Sequence, residues 1–164
     1  MTTYRYTTQI QGARAVGVGL PISVKHSVEV CSFIRGKELQ LAKRLLREVI
    51  EQKRAVPYRR YTFDLGHKAG MSSGRYPIST CKEILRLLES AEANAQFKGM
   101  NTAHLAVTHV LAHKASESHH AGRHRGRRMK RAHVEIVLAE QASQQRRKET
   151  LVKKKAATVE RRSI

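Results

Sequence analysis

Apolar positions recur every three or four residues in three stretches of the chain and every second residue in two others. In the first stretch Val24, Val28, Cys31 and Ile34 fall at i, i+4, i+7 and i+10, one face of a helix. Ser23 stands where an N-cap is wanted, and Gly36 marks the stop. Ahead of it, ARAVGVGLPIS predicts a short strand and then a turn at Pro21. The second stretch, Glu38 to Lys53, carries Leu41, Leu45 and Val49 with Ala42, Leu46 and Ile50 beside them, a wide stripe. Pro57 is expected to end that helix, because proline lacks the N–H donor and clashes one turn back. In the third, Thr80 and Glu83 have the spacing of a capping box. Ile84, Leu88, Ala91 and Ala95 share a face there, with Leu85, Leu87 and Phe97 alongside, up to Lys98 and a stop at Gly99. Small Ala91 and Ala95 let a neighbouring element approach closely.

Beyond Gly99 the period changes to two. Leu105, Val107, His109 and Leu111 alternate with Ala106, Thr108 and Val110, and Val134, Ile136 and Leu138 alternate with His133, Glu135 and Val137, predicting two strands. The polar run 114–132 between them is too long for a tight turn. An antiparallel pair is expected, its base packed on the three helices and its distal part projecting. Residues 57–77 lack periodicity and contain three Gly and two Pro, so they predict a long irregular excursion. Tyr58, Tyr61, Phe63 and Tyr76 would anchor it, interleaved with Arg59, Arg60, His67, Lys68 and Arg75. The reading is an α/β chain of the α+β kind: three helices on a small antiparallel sheet, a long protruding β-hairpin, and a basic C-terminal tail. Residues 1–140 form one domain, with the hairpin at about 103–139, and 141–164 are an extension.

Charge changes this picture more than any motif does. The 164 residues hold 32 Lys plus Arg against 13 Asp plus Glu, a formal charge of +19. Such a surface repels itself unless a polyanion is near, and nucleic acid is the first candidate. The core has to be aliphatic, since Trp is absent and aromatics are 5%. No apolar run approaches the length of a membrane span, and MTTYRYTTQIQG lacks the layout of a signal peptide. A soluble, cytoplasmic protein with no membrane insertion is expected. Cys31 and Cys81 lie in apolar helical patterns and read as buried thiols.

The densest charge is HHAGRHRGRRMKR, from His119 to Arg131, with six Arg or Lys and no acid. A metal is disfavoured there. His119, His120 and His124, even joined by His109 and His113, have no Cys, Asp or Glu pattern with them, and the arginines oppose a cation. Catalysis is disfavoured too: Asp64 is the only Asp of the chain, no P-loop is present, and Glu117 and Glu135 pair with no evident nucleophile. No enzyme activity, cofactor or metal is expected. Guanidinium groups, in contrast, suit RNA, through bidentate bonds to phosphate and planar stacking on bases. Candidate RNA-binding residues are Lys25, Arg35 and Lys37 around the first helix, Arg59, Arg60, Lys68 and Arg75 in the excursion, and Arg123, Arg125, Arg127, Arg128, Lys130 and Arg131 in the hairpin.

Certain blocks resemble one family. They are ISVKHSVEVCSFIRG, LAKRLLREVIEQKRAVPYRRY and GRYPISTCKEILRLLESAEANAQFKGM, then AHLAVTHVLAHKA and HVEIVLAE, within residues 12–140. The chain resembles the universal large-subunit ribosomal protein family numbered twenty-two in bacteria and seventeen in eukaryotes, and its 57–77 excursion looks like the archaeal and eukaryotic version. The resemblance implies a structural component of the large ribosomal subunit that binds its RNA beside neighbouring ribosomal proteins. It also implies a hairpin that threads through RNA to the wall of the nascent-polypeptide tunnel. Carried onto this chain, the hairpin arms are about 103–116 and 128–139 and the tip lies within 117–128. His124, Arg125, Arg127 and Arg128 become the tunnel-lining candidates, near the nascent polypeptide. The implied location is the cytoplasmic ribosome, with the nucleolus during assembly in a eukaryote. GRHRGRRMKRAHVEIVL passes more directly from tip to strand than in eukaryotic relatives, and ASESHH replaces a more basic approach. The alternative reading is a free-standing basic RNA or DNA chaperone.

Overall fold

The computed structural model describes residues 12–140. Its elements follow in the order β1 (Ala13–Leu20), α1 (Val24–Ile34), α2 (Leu39–Ile50), β2 (Val56–Pro57), β3 (Gly74–Arg75), α3 (Ile78–Phe97), β4 (Leu105–Lys114) and β5 (Ala132–Glu140). β5 is the middle strand of a three-stranded sheet, antiparallel to β1 on one side and β4 on the other. α3 lies over β1 and β5, α1 covers β4, and α2 packs against α3 and β4. Between the layers the core is aliphatic: Ala15, Val107, Val110, Val134, Ile136 and Leu138 from the sheet meet Ile34, Leu46, Ile84 and Leu88 from the helices. This is the α+β arrangement expected from the two periodicities. The C-terminal tail falls outside the described residues.

Small residues set how closely α3 approaches the sheet. Ala91 and Ala95 are fully buried, as their spacing predicted. Further along β1, a Cβ on Gly17 would lie 2.7 Å from Leu20 Cδ1 and 2.9 Å from Leu87 Cδ1, so a larger residue there would have to push these two leucine side chains aside. The far end of α3 is then pinned to β1 by Asn94 Nδ2 and Lys98 Nζ, which donate to the carbonyls of Arg14 and Gly12, each at 2.8 Å. Gly99 closes the helix at φ +70°, in the left-handed region glycine favours.

Several local expectations fail for physical reasons. α1 buries Ser27, Glu29, Val30, Cys31 and Ile34, with Val24 and Val28 only half-buried, so its inward face is rotated away from the valine stripe. The Ser23 side chain makes no cap bond; instead Ser27 Oγ donates to the Ser23 carbonyl. α2 stops at Ile50, well before Pro57, because Gln52 turns left-handed at φ +60° and Arg54 folds back onto Glu48 at 2.8 Å. The Thr80–Glu83 capping box does not form. α3 starts earlier, after Pro77, which leaves Thr80 buried in its first turn and Glu83 bonded to Arg86. Phe97 does not join the core and is 93% exposed.

The alternation along β4 is also broken. Val107 faces Leu138, yet His109 faces Val137, so Thr108 is an extra residue. This is a β-bulge, and the Thr108 hydroxyl secures it by donating to the Val137 carbonyl at 3.0 Å. Past the bulge, Val110 and Ala112 take the core face, not His109 and Leu111. His109 turns to the other face, where its Nε2 meets the fully buried Glu135 carboxylate at 2.8 Å. The free edge of β4 is covered by the α1–α2 turn: Gly36 N–H donates to the Val107 carbonyl, and Val107 N–H to that of Lys37.

Candidate nucleic-acid interface

The 57–77 excursion is tied at its base by the β2–β3 ribbon and held from below by one buried acid. Glu29, only 2% exposed, reaches out of α1 toward the backbone after Tyr58. Its carboxylate accepts the N–H groups of Arg59 at 3.1 Å, Arg60 at 2.8 Å and Tyr61 at 2.8 Å. Three donors from consecutive residues on one carboxylate fix the chain locally, and the Arg59 and Arg60 side chains stay exposed. Tyr58 packs into the core, edge-on to His26, as an anchor. Burial pushes its hydroxyl up to about 12, and that hydroxyl has no partner among the described residues. Tyr61 and Tyr76 are half-buried, with Lys25 and Arg60 near the Tyr61 ring and Lys68 over Tyr76 at 5.6 Å. Phe63 departs from expectation: it anchors nothing and is 96% exposed.

These residues wall a cleft of about 500 Å³. Lys25 and His26 of α1 form one side; Tyr58, the run Arg60 to Leu65 of the excursion and Arg75 of β3 form the rest. Burial, then the charges of Lys130 and Arg75, hold the His26 imidazole below its ordinary pKa. Lys130 belongs to the returning hairpin arm, so its charge bears on the same neighbourhood. A smaller cleft of about 270 Å³ collects Ser32, Phe33, Arg35, Lys37, Pro57 and Arg59. There Arg35 also serves the fold, since its Nη2 donates to the Val110 carbonyl at 3.0 Å.

The third basic region is the hairpin tip. Beyond β4 and β5 the arms continue to pair: Ala115 N–H donates to the Arg131 carbonyl, Met129 N–H to Ser118 and His120 N–H to Arg127. A short 3₁₀ turn, Gly122–His124, closes the end, within the tip expected at 117–128. Gly122 sits at φ +63° there. Every residue from Ser118 to Arg128 is exposed. Arg123, Arg125, Arg127 and Arg128 all project from this end, and none meets a carboxylate among the described residues. His119 Nδ1 is 3.1 Å from the Arg125 carbonyl. Arg131 stands apart from the tip, half-buried, with Nη1 donating to the Gly19 carbonyl at 3.2 Å.

The predicted basic residues therefore divide into groups. Lys25, Arg60 and Arg75 share the large cleft; Arg35, Lys37 and Arg59 share the small one; the four tip arginines form a cluster of their own. Lys68 stays on its tyrosine. Sequence reasoning missed Glu29, whose position between Val28 and Val30 gives no sign of a partner thirty residues away. It also missed His26 and Asp64 as walls of a cleft.

A ribosomal-protein family model, described as Ribosomal protein L22p/L17e, matches residues 15–139. The chain belongs to that family. The large ribosomal subunit protein uL22 of Archaeoglobus fulgidus is 40% identical over 114 residues, spanning 68% of this chain and 74% of its own length. That of Staphylothermus marinus is 36% identical over 155 residues, spanning 85% and 99%, and that of Thermofilum pendens is 39% identical over 118, spanning 70% and 78%. All three relatives are archaeal, in keeping with the excursion. No described helix is long and apolar enough to cross a membrane.

Proposed function

We propose that this protein is a structural, non-catalytic component of the large ribosomal subunit that binds the subunit RNA through the 1–140 domain and lines the nascent-polypeptide tunnel with its hairpin tip. The observation that carries the reading is the tip itself: four arginines, exposed and without acidic partners among the described residues, at the end of a paired two-stranded arm. Charge held out on an arm suits penetration of a folded polyanion, whereas a coating protein would spread it over the core. Clefts at Lys25, Arg60 and Arg75 and at Arg35, Lys37 and Arg59 would contact RNA at the base of the arm, while Lys130 would do so on the returning strand. Partners are the large-subunit RNA, adjacent subunit proteins and the emerging chain, in cytoplasmic ribosomes, with nucleolar assembly in a eukaryote.

The test maps RNA reactivity in large subunits carrying wild-type protein, a variant with Arg→Lys at 123, 125, 127 and 128, or one with Arg→Ala at all four. Lysine keeps the charge and loses the planar fork, so reactivity at the tunnel constriction should rise in the order wild type, Lys, Ala. A four-Ala particle identical to wild type there would show that the tip does not reach the tunnel. A protein that failed to co-sediment with large subunits would instead be a free chaperone.

A further inference from the structure

The large cleft has features that phosphate binding alone does not require. Its rim carries Lys25, Arg60 and Arg75, which suit a phosphate. Yet the same cleft holds Phe63, almost fully exposed, and Asp64, its only carboxylate. An anion site gains nothing from a carboxylate, and an exposed phenyl ring offers nothing to a phosphate. Asp64 also occupies the left-handed region at φ +59°, and the turn is closed by Leu65 N–H donating to the Thr62 carbonyl. The volume, about 500 Å³, lies in the range of small-ligand sites, roughly 300–1,000 Å³, and does not suit a duplex.

We propose that this cleft is a subsite for one unpaired RNA nucleotide, with its base on Phe63, its phosphate among Lys25, Arg60 and Arg75, and its base edge read by Asp64. The proposal rests on the RNA-binding reading above and deepens it. Phe63 is the stacking platform because its ring is open, whereas Tyr61 already carries Lys25 and Arg60 beside its ring at 5.7 and 5.6 Å. Single-stranded RNA is recognised in this way, by aromatic stacking and hydrogen bonds to the Watson–Crick edge. A carboxylate only accepts. Guanine alone presents two adjacent donors on that edge, N1–H and the N2 amino group, so guanine is the favoured base.

Substitution at Asp64 separates this proposal from plain charge attraction. Asn tolerates the left-handed backbone, so Asp64→Asn keeps the turn and removes one negative charge. Charge alone predicts that this variant binds every RNA more tightly by a common factor. The nucleotide subsite predicts loss of discrimination. Using full-length protein at fixed salt, fluorescence anisotropy would compare the pentanucleotides UUGUU, UUIUU (I, inosine, which lacks the N2 amino group) and UUUUU. Wild type should prefer the guanosine strand over the uridine strand by about tenfold, with inosine between, as a bidentate contact gives. Asp64→Asn should bring the three together, Phe63→Leu should weaken the guanosine strand, and Phe63→Tyr should restore it. Binding of large-subunit RNA is measured in parallel. Wild type that binds this RNA but treats the pentanucleotides alike, or Asp64→Asn that keeps the wild-type ratio, overturns the subsite alone. Failure of wild type to bind large-subunit RNA removes the RNA-binding reading and the subsite together.

Discussion

The Glu29 carboxylate in α1 accepts the backbone N–H of Arg60 at 2.8 Å, although thirty-one residues separate them. With the bonds from Arg59 and Tyr61, it couples the first helix to the start of the excursion. A hydrogen bond to a charged group contributes about 1.5–3 kcal/mol, and donors stranded by its loss cost further. Glu29→Ala should therefore destabilise the protein by about 3 kcal/mol, and Glu29→Gln by less, since the amide keeps one acceptor oxygen. Urea unfolding measures the loss. Hydrogen exchange should show faster amides at 59–61, and unchanged protection there would refute the coupling.

Arg59 and Arg60 should then carry charge to RNA from a fixed backbone. Replacing both with Ala leaves the Glu29 bonds intact, because those bonds are made by main-chain N–H groups. Affinity for large-subunit RNA should fall, and the slope of log K against log salt should flatten by roughly one to two units. An unaltered slope would mean both guanidinium groups face solvent in the complex.

The buried Tyr58 hydroxyl makes an opposite prediction. Removing an unsatisfied buried polar group without changing shape is neutral or favourable. Tyr58→Phe should hold or raise the unfolding midpoint, whereas Tyr58→Leu should lower it by opening space beside His26. A clear loss of stability in Tyr58→Phe would reveal a hydrogen bond made in solution.

His26 makes stability depend on pH. Its folded pKa lies below the ordinary 6.5, first through burial and then through Lys130 and Arg75. Above about pH 6.5 both folded and unfolded chains hold it neutral, and its contribution is complete. As pH falls through 6.5 toward the folded value, the unfolded chain takes up the proton first and stability is lost. The fall in Tm between pH 8 and pH 5 should be smaller in His26→Gln than in wild type; an equal fall would remove His26 as a contributor.

Cys31 and Cys81 should be silent in the folded protein. Burial raises both thiols to about 12, and both are almost completely enclosed. Thiolate is the reactive form, so alkylation at neutral pH should require denaturant. Rapid labelling of either cysteine in native protein would contradict the packing of α1 and α3.

How far the fold could be read from the sequence depended on the range of the forces involved. Leu45, Val49, Ile84 and Leu88 report their helices because burial of a stripe is a local, periodic demand. The left-handed Gln52 and the partnership of Glu29 with residues 59–61 have no periodic trace, since a polar side chain looks the same facing water or facing a distant backbone. β4 misled for another reason: Leu105, Val107, His109 and Leu111 fit an unbroken period of two, so nothing marked Thr108 as supernumerary. At the interface, the basic residues were visible as charge. Their grouping into two clefts and a tip was not, because it depends on where β3 and the excursion return to α1.

The Thr108 bulge gives the arm a parity. Side chains along a strand alternate between faces, so each residue added or removed beyond the bulge inverts everything further out, whereas each pair leaves the facing intact and changes the reach by about 6.6 Å. Thr108 itself is the supernumerary residue, so removing it alone would close the bulge with Val107 still opposite Leu138, His109 opposite Val137 and Val110 opposite Ile136, and the facing of the outer arm would be kept. A matched two-residue insertion on both arms past Lys114 and Ala132 would preserve the core and only push the arginine cluster outward. Length is therefore adjustable in even steps, and the bulge at Thr108 is the place in β4 where a single odd residue is absorbed without inverting the arm.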